Sequence, residues 1–451
     1  MTDDAGDRAV ERAIARSPSV AEVLLGRAVL AEIGPLFARQ FKGRKACIIA
    51  DEATWKAAGA RCFDLLTQAG IATRHHILPS HPRPKPTVEL AHQLRDVLAQ
   101  DASVPVAVGS GVINDVVKHA AFDLDRHYLC VATAASMDGY TSAGAPLSDK
   151  GFKMTIQCRP ARVVLGDLDV IAAAPLEMAG WGYGDMAGKI PAGADWILAD
   201  ALGIEAVDTV AWPMVQGPLR GLLSAPARIA AGDLAAVAGL FTGLTMVGLA
   251  MEAHGSSRPA SGADHQIAHL WEMDDLSLNA ERVSHGACVA VGCSMVLRLY
   301  DFLLDQDLAR LDPARIVATA PDLANKQKVI EAAFGHGEIA NRAMAETRAK
   351  HLDGPALLGR LTRLQAVWPD LRTQLAEHLM TALQMRTALH AAGAPSDADE
   401  IGVNRDYLRQ TTLNARFLRS RYTVLDLLDE TGLLQAAVEA ALPAQPTAKL
   451  G

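Results

Sequence analysis

Over roughly its first 170 residues the chain alternates short apolar runs with segments of helical periodicity, and that alternation leaves few folds open. KACIIAD (45–51), RHHIL (74–78), VPVAVG (104–109), HYLCVAT (127–133) and RVVLGD (162–167) have the length and character of strands. Between them, ATWKAAGARCFDLLTQAG, VELAHQLRDVLAQD and GSGVINDVVKHAAF read as helices, the first closed by Gly70. Strands joined through helices pair in parallel, with the helices crossing over the faces of the sheet. Beyond about residue 170 the pattern changes to long Ala- and Leu-rich helical segments, of which VLDLLDETGLLQAAVEAAL (424–442) is the clearest. The expected architecture is an α/β Rossmann-like N-terminal domain followed by an all-α C-terminal domain. The expected division is an N-terminal extension over 1–40, the α/β domain over 41–172, the helical domain over 173–440 and a disordered tail over 441–451.

Composition narrows the class. The 451 residues are half apolar and about a fifth charged, enough for two or three cores. The net charge is −8 and no basic block stands out, which argues against a nucleic-acid partner or an acidic membrane surface. The cysteines Cys47, Cys62, Cys130, Cys158, Cys288 and Cys293 form no CxxC pair, and several lie in apolar runs. They read as buried thiols of a reducing compartment. The N-terminal stretch MTDDAGDRAVERAIARS is charged and lacks the apolar core of a secretory signal, so a cytoplasmic protein is expected. Leu234 to Met251 is uncharged and long enough to span a bilayer. It is rich in Gly and Ala and tightly flanked by Asp233 and Glu252, so it is read as the central helix of the all-α domain, without membrane insertion.

Four motifs offer chemistry, each with a plainer reading beside it. Gly109-Ser110-Gly111-Val112-Ile113-Asn114-Asp115 sits where a strand meets a helix. Glycines and free N–H groups there suit a pyrophosphate; an ordinary strand-to-helix turn uses the same residues. Thr133-Ala134-Ala135-Ser136-Met137-Asp138-Gly139 follows the next strand, where ligands of open α/β sheets gather; turn and cap chemistry explains it as well. Asp185, in Gly182-Tyr183-Gly184-Asp185, is either a ligand or a charge placed near a helix start. His265 and His269, in SGADHQIAH, share a helix face, and His285-Gly286 precedes an apolar helix. They are ligands, or polar face and cap residues. One Asp and two His from different helices would leave a position on a divalent metal open to substrate.

In combination and order, GSGVIND, TAASMDG, GYGDMAGK, SGADHQIAH and SHGACVAVG resemble the sn-glycerol-1-phosphate dehydrogenases, within the iron-containing alcohol dehydrogenase and dehydroquinate synthase-like superfamily. The stretch AGAPSDADEIGVNRDYLRQTTLNARFLRSRYTVLDLLDETGLL is similar to the bacterial branch, so the resemblance runs over roughly 40–435. It implies a dehydroquinate synthase-like fold with NAD or NADP bound by the first domain, metal and substrate bound by the second, and a homodimer. Gly111 to Asp115, Thr133 to Ser136 and Ser142 would contact the dinucleotide. Asp185, His265 and His285 match the metal ligands; Asp138, Asp185 and His269 match substrate contacts, with Asp138 and His269 at the reacting group. The implied reaction is reversible reduction of dihydroxyacetone phosphate, a small phosphorylated ketone, to sn-glycerol 1-phosphate, for glycerophospholipid synthesis. Asp264 stands where the family pattern has Glu, the His269–His285 interval is longer than in archaeal members, and the first forty residues fall outside the pattern.

Other details stay open on the residues. Asp51 ends the first strand and would favour NAD by bonding a ribose hydroxyl; Arg83-Pro84-Lys85 would favour NADP. The donor set suits zinc, nickel or iron. Lys189, one turn after Asp185, meets a substrate phosphate or, on the plainer reading, solvent. Dehydrogenation of another polyol, a dehydroquinate synthase-like cyclase and a non-catalytic nucleotide-binding protein are the alternatives.

Overall fold

The five expected strands lie side by side in a six-stranded sheet, β1-β8-β5-β4-β2-β3 in order, all parallel, and only β1, at one edge, was not expected. The computed structural model describes residues 4–442, so the expected tail lies, past residue 442, outside the described residues. The strands are β1 (Glu22–Gly26), β2 (Ala46–Asp51), β3 (Thr73–Leu78), β4 (Val104–Gly109), β5 (Leu129–Ala132) and β8 (Val163–Asp167), with β6 (Ala145–Asp149) and β7 (Phe152–Ile156) in a separate antiparallel hairpin. Val106, Val108, Leu129, Val131, Val163 and Leu165 are buried on one face and Ile49, Ala107, Cys130 and Val164 on the other, as expected of a parallel sheet covered on both faces.

β1 falls inside the stretch expected to be an extension. Its Leu24 and Leu25 stand opposite Leu165 and Gly166, and Ile33, Leu36 and Phe37 of the following helix enter the sheet core. Five half-buried residues at an edge carry too short an apolar signal to be read alone. The β6–β7 hairpin also escaped the reading, although Lys150 and Gly151 both take positive φ, as a tight hairpin turn requires.

The chain separates into two compact units, and not at residue 172. The first holds residues 4–189, Asp208–Ala260 and Ala391–Ala394; the second holds Ile190–Val207, Ser261–His390 and residues 395–442. Helices Leu176–Ala187 and Leu234–His254 therefore belong with the sheet. They do so because glycines let their backbones reach the loops at the strand ends. A Cβ on Gly182 would stand 1.9 Å from the Ala135 carbonyl oxygen. Thr141 also donates to the Thr245 carbonyl at 2.7 Å.

Helices Leu234–His254 and His285–Leu304 are long and apolar enough to cross a membrane, but 72% and 78% of their most apolar windows are buried within the protein. Asp233 caps the first of them and Gly255, at φ 75°, ends it. All six cysteines are buried. Burial pushes the Cys47 thiol up to about 11 and those of Cys62 and Cys158 up to about 12.

Candidate functional site

Strand order decides where the first unit can receive a ligand. From β2 the chain moves outward to β3, returns to place β4 on the other side of β2, and then proceeds to β5 and β8. Loops leaving the carboxyl ends of β2 and β4 thus diverge, and such a switch point opens a crevice. Gly109 ends β4, Ser110 follows in extended conformation, and the Gly111–Asp123 helix begins with no cap from the Ser110 side chain. Its first N–H groups are left to whatever lies at that end of the sheet. Asp51, at the end of β2, accepts from Thr54 N at 2.8 Å, so one of its oxygens is engaged in capping.

Behind this turn lies a buried polar network. Lys118 is fully buried and donates to the carbonyls of Gly139 at 2.7 Å and Gly144 at 2.8 Å, and to Ser142 Oγ at 3.2 Å. Asn114 Nδ2 donates to the Gly139 carbonyl at 3.2 Å and its Oδ1 accepts from Tyr128 at 3.0 Å. Asp115 lies 3.4 Å from Lys118 Nζ, and burial raises its carboxyl above the usual range although Lys118 and Lys153 oppose the shift. Asn114, Asp115 and Ser142, expected at the dinucleotide, are thus tied into the joint between the Gly111–Asp123 helix and the loop after β5. Thr133, Ala134, Ala135 and Ser136 are buried in that loop, with Thr133 N donating to the Gly109 carbonyl at 3.2 Å. Lys118 was missed because one Lys inside a helix ordinarily reads as a solvated face.

The loop delivers Asp138 to Asp185. Asp138 N donates to Asp185 Oδ2 at 3.0 Å, and Lys189 Nζ lies 2.5 Å from Asp185 Oδ1 and 2.7 Å from Asp138 Oδ2. Lys189 is not a solvated side chain: it and Asp185 are both fully buried. Burial alone would lower the Lys189 pKa; the Asp138 and Asp185 carboxylates outweigh it and hold the ammonium above its ordinary value. Its side chain turns inward because Asp185, one turn earlier, is a buried charge that demands a partner.

The second unit gathers three histidines. His265 and His269 lie on the Ala263–Met273 helix and His285 starts the His285–Leu304 helix. Ring centroids are 5.4 Å apart for His265 and His285, 6.2 Å for His265 and His269, and 6.0 Å for His269 and His285. Asp264 Oδ2 lies 2.7 Å from His265 Nδ1, and Glu272 Oε1 lies 3.0 Å from His285 Nδ1. A proton on each Nδ1 directed at its carboxylate puts the lone pair on Nε2, the tautomer a metal ligand needs. Asp264, noted in the sequence only as a departure, and Glu272 are therefore holders of the two imidazoles. Glu272 had a legible signal: it lies three residues after His269 and seven after His265, on the same helix face.

Two further contacts fix these helices. A Cβ on Gly292 would stand 2.5 Å from the Asp264 carbonyl oxygen, so glycine sets the close approach of the two helices. Asp195, fully buried, accepts from Ala263 N at 2.8 Å, Val424 N at 2.8 Å and Tyr300 Oη at 2.6 Å, joining the histidine helix to two others.

The family model described as iron-containing alcohol dehydrogenase matches residues 24–175. A glycerol-1-phosphate dehydrogenase [NAD(P)+] of Bacillus velezensis is 30% identical over 393 residues, covering 86% of each chain. The enzyme of that name from Bacillus subtilis is 30% identical over 424 residues, 92% of each. Among solved structures, a probable glycerol dehydrogenase from Sinorhizobium meliloti shares the fold at a TM-score of 0.59 and 15% identity, over 94% of this chain and 99% of its own.

Proposed function

This chain belongs to the glycerol-1-phosphate dehydrogenase family, among the iron-containing alcohol dehydrogenases, and on that premise we propose that it reversibly reduces dihydroxyacetone phosphate to sn-glycerol 1-phosphate. The observation that carries the reading is the pair of imidazoles, His265 and His285, each with Nδ1 against a carboxylate.

The donor set fits a divalent metal. Asp185, His265 and His285 would hold it with one carboxylate and two imidazoles, a set that suits zinc, nickel or iron. A bound metal supplies a Lewis acid that polarises the substrate carbonyl and, in reverse, acidifies the alcohol. NAD(P)H supplies the hydride, and its pyrophosphate is assigned to the helix start at Gly111 beside Gly109 and Ser110.

The protein's own groups do the rest. Lys118 and Asn114 hold the Gly139 carbonyl, and with it the loop that carries Asp138. Asp138 and His269 are assigned to contact the substrate hydroxyl groups, with His269 serving proton exchange at the carbonyl oxygen. Lys189 balances the charge of Asp138 and Asp185; with its ammonium between two carboxylates, it is not assigned to the substrate phosphate. A cytoplasmic homodimer is the proposed form, the dimer to be checked by light scattering.

The test is metal analysis joined to a spectrophotometric assay with NADH and NADPH. Metal-loaded protein is expected to oxidise one or both with dihydroxyacetone phosphate and to turn over unphosphorylated dihydroxyacetone far more slowly. No turnover of any phosphorylated ketone by metal-loaded protein would sink the proposal.

A further inference from the structure

A second cluster of metal-ligating groups lies in the first unit, apart from the residues assigned above. The Val88–Ala99 helix carries His92, and the neighbouring Gly111–Asp123 helix carries His119 and Asp123. Asp123 Oδ2 lies 3.6 Å from His92 Nε2 and 3.3 Å from His119 Nδ1, and the three donor atoms lie within 4.8 Å of one another. Nitrogen and oxygen ligands at about 2.0–2.2 Å from a tetrahedral ion stand roughly 3.3–3.6 Å apart. The spacing from Asp123 to either imidazole therefore already suits a common ion.

The second observation is His119 itself. It is 6% exposed, and its buried Nδ1 has no hydrogen-bond partner although it faces the cluster. A buried imidazole nitrogen without a partner is costly, and coordination would satisfy it. The opposite side is open: the His92 side chain is 44% exposed, giving an ion an entry path and room for water. Arg95 is the competing cation, with Nη1 4.0 Å from Asp123 Oδ2. It is drawn aside by Asp96, which accepts from Arg95 Nε at 3.0 Å and Nη2 at 2.9 Å.

We propose that His92, His119 and Asp123 form a second divalent-metal site that clasps two helices of the first unit. Two imidazoles and one carboxylate favour zinc, nickel, cobalt or copper over magnesium and calcium. The site is structural. At about 1.5 Å per residue, Asp123 lies roughly 18 Å along the helix from Gly111, far from the turn assigned to the dinucleotide. Closing the clasp adds coordination between two helices that otherwise meet through packing and the long contacts of Asp123 with His92 and Arg95, so it should raise thermal stability.

The experiment uses the full chain stripped with chelator, titrated with zinc and counted by equilibrium dialysis. Unaltered protein is expected to bind one equivalent more than His92→Ala or Asp123→Asn. Arg95→Ala should keep that equivalent and bind it several-fold more tightly. Asp185→Ala should keep it too, whatever becomes of the ion proposed for catalysis, so the two assignments fail separately. Zinc should raise the melting temperature of Asp185→Ala, and should raise that of the double variant Asp185→Ala, His92→Ala much less. Because His92 is half exposed, its variant should fold, which circular dichroism checks. Equal zinc stoichiometry and affinity in unaltered protein and His92→Ala would overturn the proposal, as would an Asp185→Ala chain that binds no zinc.

Discussion

At His265 a proposed metal ligand meets the carboxylate that orients it, Asp264. His265→Ala should abolish bound catalytic metal and turnover while circular dichroism stays native; full activity would remove His265 from the metal shell. Asp264→Asn and Glu272→Gln act through the imidazoles they orient, and each should weaken metal binding about 10- to 100-fold, read by competition with a chelator. Lys189 carries a different burden. With the ammonium removed, the fully buried Asp185 carboxylate and the partly buried Asp138 carboxylate face each other without compensation, and breaking a buried pair costs about 3–5 kcal/mol. Metal-free Lys189→Met should therefore unfold at clearly lower urea; an unchanged midpoint would show that the pair contributes nothing. The sequence marked the proposed ligands, because Asp and His in a recognisable order are rare enough to notice. It marked Lys189 without its second partner, Asp138, and left Lys118 and Asp195 unmarked, because their burial rests on partners distant in sequence, such as Gly139 and Val424.

Among the elements, backbone approach matters more than propensity. The Leu176–Ala187 helix reaches the loop after β5 only because residue 182 has no Cβ. Gly182→Ala must displace backbone, an overpacking that typically costs about 1–3 kcal/mol, and the displaced loop holds Asp138. The expected outcome is a lower melting temperature together with more than tenfold loss of kcat, measured with saturating substrate. The β3 edge supplies a pH test. Arg74, on β3, bonds Asp101, just before β4, at 3.0 and 3.2 Å. The hydrogen bond from Arg74, helped by Ser103, holds the Asp101 carboxyl well below the usual carboxylate range. Its folded pKa is depressed, so the stabilisation is full above the unfolded value near pH ~3.9 and is lost as pH falls towards the folded one. Urea midpoints at pH 7 and pH 3 should differ less for Asp101→Asn than for the unaltered chain. The buried strands were legible as unbroken apolar runs, and the Gly111–Asp123 helix by the glycine turn that opens it. β1 and the β6–β7 hairpin were not: the edge strand is only half-buried, and the turn signal at Lys150-Gly151 sits between runs of mixed polarity.

On the scale of the whole molecule, the order of elements was readable while their grouping was not. Periodicity announced a sheet followed by helices, but the chain re-enters the first unit over Asp208–Ala260 and again over Ala391–Ala394. No local pattern encodes that return, since it depends on which surfaces the helices find. Removing metal tests the molecule as an enzyme. Prolonged chelation should abolish turnover of dihydroxyacetone phosphate, and a divalent metal should restore it; activity that survives verified metal removal would refute metal dependence. The buried thiols have a use of their own. Cys47, Cys62, Cys130 and Cys158 lie in one unit and Cys288 and Cys293 in the other, all shielded from solvent. A thiol-reactive dye therefore finds little to label until the chain opens, and the sulfurs released can be counted by mass. Four labels before two, or two before four, would time-stamp which half of the protein lets go first, with no engineered probe.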